Sequence, residues 1–301
     1  MTRALIVPFT KMQGAGNDFV VLDNRFLRFT DDELAALAAR VCPRRTGVGA
    51  DGLLALEEPD ADGPPGADFR MRYRNADGSQ ATMCGNGARC LARFAARAGL
   101  GREAPGGSVE VAFDTDGGRY TAVVADGPAG ARGASGPVRL SVPPPRGFAE
   151  APGFDAPTVR IWTGTEHAVS FVESAAAVDL ERVGPRVRHD AQFAPEGTNA
   201  NVAEVVDRGA DGSAPRPARI AVRTFEKGVE GETLACGTGA LAAAVAAHLA
   251  GRIAATTVDV AMPGGVLQVA FALDGETVSR LTLDGPAETV YEGTLEVGGG
   301  Q

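Results

Sequence analysis

The sequence predicts an α+β protein of two pseudo-symmetric domains, built by internal duplication from mostly antiparallel strands and one apolar helix per half. Two observations carry this. Cys84 and Cys236 open near-identical phrases half a chain apart, C-G-N-G-A-R-C-L-A-R-F and C-G-T-G-A-L-A-A-A-V. The repeat also continues upstream: Asn75 and Lys227 each stand nine residues before their cysteine. At nearly the same offset, T-G-V-G-A-D-G from Thr46 is echoed by E-G-T-N-A-N-V from Glu196, and N-D-F-V-V-L from Asn17 by E-H-A-V-S-F-V from Glu166. Order and spacing held over four places mark a duplication.

In chain order, β-rich runs bounded by turn residues predict strands at 19–23, 108–113, 120–124, 138–142, 168–172, 220–224 and 266–270. Helices are predicted at 30–40, where Thr30 caps and Glu33 follows three residues on, and at 85–98, 175–182 and 239–250. Gly/Pro-rich stretches at 59–67, 101–107, 126–137 and 209–217 read as surface loops. The third lies near mid-chain and sets the expected boundary: residues 1–137 with 285–301 as the half carrying Cys84, and 138–284 as the half carrying Cys236. Residues 239–250 contain no charge, so that helix should be buried all round, as one enclosed by a sheet. In 85–98, Leu91, Phe94, Ala95 and Ala98 share one face, and Arg89, Arg93 and Arg97 are expected on another.

Composition narrows the function classes. At 301 residues, 44% hydrophobic and 22% charged, the chain fits an ordinary globular protein. A net charge of −9 without a basic stretch argues against nucleic acid as a partner. No apolar run spans a bilayer and the N-terminus lacks a secretory pattern, which makes the cytoplasm the expected compartment, with no membrane partner. Four cysteines do not make a disulfide framework, and no C-x-x-C pair points to a metal.

Cysteine most often packs as a small apolar side chain, which is the expectation for Cys42 and Cys90. The duplicated Cys-Gly-x-Gly context sets Cys84 and Cys236 apart. Each should sit at a helix N-terminus, where unpaired N–H groups and the positive end of the helix dipole stabilise a thiolate. Bare glycine beside the sulfur also opens those N–H groups to a ligand carboxylate. Two matched thiols suit inversion of a carbon stereocentre through a planar carbanion, which needs a base on one face and an acid on the other.

The motifs K-M-Q-G-A-G-N-D-F-V-V-L-D from Lys11, R-R-T-G-V-G-A-D-G from Arg44, F-R-M-R-Y-R-N-A-D-G-S-Q-A-T-M-C-G-N-G-A-R-C from Phe69, R-T-F-E-K-G-V-E-G-E-T-L-A-C-G-T-G-A from Arg223 and M-P-G-G-V-L from Met262 closely resemble diaminopimelate epimerase over nearly the whole chain. The resemblance implies two pseudo-symmetric domains, each a sheet rolled around a central helix. It implies a cofactor-independent amino-acid epimerase that interconverts LL- and meso-diaminopimelate on the lysine and peptidoglycan route. Cys84 and Cys236 then become the acid/base pair. Asn17, Asn75, Gly85, Asn86, Asn199, Glu226, Gly237 and Thr238 fall on substrate-binding positions, and His167 matches an active-site histidine. Asn17 and Asn75 equally suit turns, and His167 a structural hydrogen bond. The implied partner is a small amino acid, and a homodimer is the assembly to test for.

Two departures from the family pattern fall at the substrate's far end. Asn-Pro-His is replaced by Thr165-Glu166-His167, and Glu-Arg-Gly by Glu226-Lys227-Gly228, with one extra residue before Cys236. The chain holds only two lysines, Lys11 and Lys227, so lysine here is no drift of composition. An ammonium is a point charge where guanidinium is a fork, which predicts turnover of diaminopimelate with weaker demand for its far carboxylate, or an epimerase of this family acting on another amino acid. A pyridoxal-phosphate racemase finds no phosphate cradle beside either lysine, and a nucleotide enzyme finds no G-x-x-x-x-G-K-[ST]. A thiol redox protein and a non-catalytic binding module are the readings from other classes.

Overall fold

The computed structural model describes residues 5–125, 127, 133–209, 216–275 and 277–297; half of the loop expected at 126–137 and two thirds of that expected at 209–217 lie outside these. The chain divides into two compact units, Met1–Leu140 with Gly285–Gln301, and Ser141–Asp284.

The first unit comprises β1 (Leu5–Gly14), β2 (Asn17–Asp23), α1 (Asn24–Leu27), α2 (Asp31–Val41), β3 (Gly52–Glu57), β4 (Phe69–Asn75), α3 (Gly85–Arg97), β5 (Arg102–Ala104), β6 (Ser108–Thr115), β7 (Gly118–Val124) and β8 (Ser135–Val142). Antiparallel ladders join β1–β2, β3–β4, β5–β6 and β6–β7, and parallel ones join β2–β3 and β4–β6. The sheet rolls around α3, which packs against β1, β2, β3, β4, β6 and β7. The central runs of β2 (Phe19–Leu22) and β3 (Leu53–Leu56) are apolar because both faces are covered. Val20, Leu22, Leu53 and Ala55 pack with Leu34, Leu37 and Val41 of α2. The alternate residues Phe19 and Leu54 lie beside Gly87 of α3. Helix α2 starts with the expected capping box between Thr30 and Glu33.

The second unit comprises β9 (Arg146–Glu150), β10 (Thr158–Trp162), β11 (Glu166–Phe171), α4 (Leu180–Arg188), β12 (Asn199–Asp207), β13 (Ala218–Glu226), β14 (Gly231–Thr233), α5 (Gly237–Leu249), β15 (Thr257–Met262) and β16 (Gly265–Asp274). A last strand, β17 (Thr277–Val297), pairs through its first residues with β16 and through later ones with β1. The topology repeats that of the first unit: β10–β11, β12–β13 and β15–β16 are antiparallel, whereas β11–β12 and β13–β15 are parallel. Helix α5 packs against β10, β11, β12, β13, β15 and β16, the counterparts of the strands around α3. Each half is thus an α+β unit with a mostly antiparallel sheet rolled around a central helix. Among the described residues no helix is long and apolar enough to cross a membrane.

One expectation is corrected. The helix expected at 175–182 runs over Leu180–Arg188 instead. The alanines from Ala175 favour helix by propensity, but Asp179 is the residue whose side chain caps, accepting from Arg182 N at 3.3 Å. The arginine-bearing face of α3 is itself covered, with Arg89 and Arg93 both 0% exposed. The Nη1 and Nη2 groups of Arg93 donate to the carbonyls of Ala125, Gly133 and Pro137, which helps its charge to be buried.

Candidate active site

In the first unit the site residues gather at the start of α3. Cys84 is the N-cap of that helix, and its sulfur accepts from Gly87 N at 3.4 Å. Gly85 and Asn86 form the first turn, so the N-terminal backbone N–H groups of the helix lie beside the sulfur. Asn86 is 2% exposed and donates its amide to Asn17 Oδ1. A two-residue turn at Ala15 and Gly16, both at positive φ, folds β1 onto β2 and brings Asn17 to this place. Asn17 in turn donates to Asp51 at 3.0 Å, and Asp51 accepts from Arg44 at 2.7 Å. Asn75 closes β4 and donates to Ser79 Oγ at 3.0 Å, within a turn where Gly78 N bonds its carbonyl. The turn role anticipated for Asn75 is therefore present in the structure.

Lys11 is committed elsewhere. Its ammonium pairs with Asp18 at 2.7 Å and also donates to the Gly49 carbonyl. Burial alone would raise the Asp18 carboxyl, but the hydrogen bonds and charges of Arg44 and Lys11 outweigh it and lower the pKa to about 2.

In the second unit Cys236 is the N-cap of α5, 4% exposed, with its sulfur 3.5 Å from Thr238 Oγ1. Gly237 and Thr238 form the first turn. Glu166 and His167 open β11, Asn199 opens β12, and Glu226 closes β13. Because β11 and β12 are parallel and β13 is antiparallel to β12, all of these sit at one end of the sheet. The first turn of α5 is tied in by Thr163, whose hydroxyl donates to the Thr238 carbonyl at 2.8 Å. Thr165 donates to Glu166 at 3.2 Å.

His167 is 1% exposed, and its Nδ1 lies 3.1 Å from the amide of Asn201. Burial, reinforced by the Lys227 charge, pushes its pKa down to about 3 against the opposing pull of Glu166 and Asn201, so the ring is neutral. Its Nε2 is buried without a hydrogen-bond partner, a polar atom left over by the fold itself. Glu226 is raised above the usual carboxylate range by burial, opposed by a 2.8 Å hydrogen bond from Thr233. Lys227 follows in the turn to β14, and its ammonium donates to Glu166 at 2.8 Å. That turn holds Gly228 and Glu230 at positive φ.

Several residues that organise this arrangement were not singled out from the sequence. Asn201 is one, though it was legible: in N-A-N, residues 199 and 201 share a strand face. Asp51 lies within a motif already noted. Buried Arg89 had no such signal, because charge alone reads as solvent-facing.

The model of the family described as Diaminopimelate epimerase matches residues 9–131 and 159–290. The diaminopimelate epimerase of Chlorobaculum tepidum is 38% identical over 288 residues, covering 94% of this chain and 99% of that protein. The diaminopimelate epimerase of Methanocella arvoryzae is 38% identical over 298 residues, covering 97% of each. Among solved structures, a phenazine biosynthesis protein of Bacillus anthracis matches with a TM-score of 0.72 at 15% identity, covering 97% of this chain and 100% of that one. A hydroxyproline epimerase of Agrobacterium vitis matches at 0.66 and 15% identity, over 98% and 93% of the two chains. These two show the fold only. With profile, full-length identity and the doubled cysteine phrases all in agreement, the chain belongs to the diaminopimelate epimerase family.

Proposed function

We propose that this protein is an isomerase that interconverts LL- and meso-diaminopimelate by moving a proton at one α-carbon, with no cofactor. The observation that carries the mechanism is the matched pair of N-cap thiols, Cys84 on α3 and Cys236 on α5, in equivalent places of two units with one topology. One thiolate takes the α-proton and leaves a carbanion whose charge spreads onto the adjacent carboxylate. The other thiol then returns a proton from the opposite face. In the reverse direction the sulfurs exchange roles. N–H groups of the two first turns, at Gly85 and Asn86 and at Gly237 and Thr238, hold the reacting carboxylate as its charge grows. Asn17, Asn75, Asn199, Glu226 and Lys227 address the remaining polar groups of the substrate, with Thr165 beside them. The orphaned Nε2 of His167 supports a ligand contact there. The enzyme is placed in the cytoplasm, where thiols persist reduced.

The test is exchange in D₂O. Reduced protein incubated with LL-diaminopimelate should place deuterium at the α-carbon and generate the meso isomer, both followed by NMR. No exchange with either isomer would overturn the reading.

A further inference from the structure

Two of the three residues in which the far end of the site departs from the family pattern, Glu166 and Lys227, bear charge, and they touch each other. Lys227 Nζ donates to Glu166 Oε2 at 2.8 Å, and the two side chains are 25% and 42% exposed. Asn199 fixes both backbones: its amide donates to the Glu166 carbonyl at 3.1 Å, and its oxygen accepts from Lys227 N at 2.8 Å. Burial would raise the Glu166 carboxyl, but the hydrogen bond and charge of Lys227 overcome it and lower its pKa, so Glu166 is ionised at neutral pH. Glu226, one residue before Lys227, adds a second carboxyl at the same sheet end. Among the described residues, the Lys227 ammonium is already paired with Glu166, and Glu226 stands beside it in the chain as a further carboxyl group.

We propose that Glu166 is a specificity-determining residue that shifts recognition of the substrate's far end from its carboxylate to its ammonium. This rests on the function proposed above. A far carboxylate must share Lys227 with Glu166 and approach two resident carboxyl groups. A far ammonium meets those same groups as partners. Like-charge juxtaposition without compensation is among the strongest means of rejecting a ligand.

The experiment compares kcat/KM for three substrates: diaminopimelate, lysine, which keeps only the far ammonium, and 2-aminopimelate, which keeps only the far carboxylate. Wild type should prefer lysine to 2-aminopimelate. Glu166→Gln should raise kcat/KM for 2-aminopimelate at least tenfold and lower it for lysine. Both changes should appear in KM with kcat preserved, because the residue acts away from the reacting carbon. Lys227→Met should move the ratio the opposite way. If wild type prefers 2-aminopimelate, or Glu166→Gln leaves the lysine to 2-aminopimelate ratio within twofold, the role of Glu166 is overturned while diaminopimelate turnover stands. Absence of diaminopimelate turnover in wild type would instead overturn the functional reading, and this proposal with it.

Discussion

Arg89 Nη2 donates to Asn86 Oδ1 at 2.7 Å, and both side chains are withdrawn from water, at 0% and 2% exposure. The guanidinium also reaches the Gly85 carbonyl at 3.3 Å, so it grips the turn that follows Cys84 from inside its own helix. Its acceptor bond leaves the Asn86 amide as donor to Asn17.

Arg89→Met should therefore lower unfolding free energy by about 1.5–3 kcal/mol, the scale of a lost hydrogen bond to a charged group. It should also reduce kcat/KM at least tenfold. Urea unfolding and steady-state kinetics measure the two effects. A fully active, equally stable variant would show that the contact is incidental.

Cys84→Ala and Cys236→Ala should each abolish epimerisation with circular dichroism unchanged. Serine at either position should leave a trace, because a hydroxyl can donate a proton but is a poor base. Near-native turnover by either alanine variant would exclude the two-thiol mechanism.

His167 carries a pH signature. Its folded pKa of about 3 lies below the unfolded value of 6.5, so the unfolded chain takes a proton that the folded one refuses. The stability this supplies is complete above about pH 6.5 and is lost as pH falls towards 3. Asp18, lowered from 3.8 to about 2, acts only at more acid pH. Between pH 4 and 6, wild-type stability should thus fall relative to His167→Gln by about 1.4 kcal/mol per pH unit at most. Denaturation curves at several pH values supply the comparison, and parallel pH profiles would mean that the ring is not held neutral.

Gly239 tests the packing beneath Cys236. A Cβ there would meet Asn201 Oδ1 at 2.6 Å and Thr224 Oγ1 at 3.0 Å, two groups that are hydrogen-bonded to each other. Gly239→Ala should cost about 1–3 kcal/mol by overpacking. Gly231→Ala, where nothing lies within 4 Å, is the control and should stay within about 0.5 kcal/mol in a thermal melt.

Duplication, fold class and the two helix-capping thiols were legible because each is local: a cysteine, its glycines and the apolar run that follows are adjacent in the chain. Strands such as β3 and β4 were missed for the opposite reason. Leu53 to Leu56 form a short apolar run covered on both faces, which has no periodicity to separate strand from helix. In β4, arginines alternate with core residues, and Arg70, Arg72 and Arg74 find partners in Asp60, Asp116, Glu57 and Asp31 far along the sequence. The Glu166–Lys227 contact was invisible in the same way. Both residues stood out from the family pattern, but only the pairing of β11, β12 and β13 makes them neighbours.

Cys42 and Cys90 are packed away with their thiols raised by burial to about 11 and about 12, which leaves almost no thiolate at neutral pH. Both belong to the first unit, whereas the single tryptophan of the chain, Trp162, belongs to the second. Each half thus comes with its own native reporter of opening: alkylation of the two silent sulfurs for one, indole fluorescence for the other. Followed together during denaturation, they tell whether the two descendants of the duplication still unfold as one cooperative body or have become separate folding units.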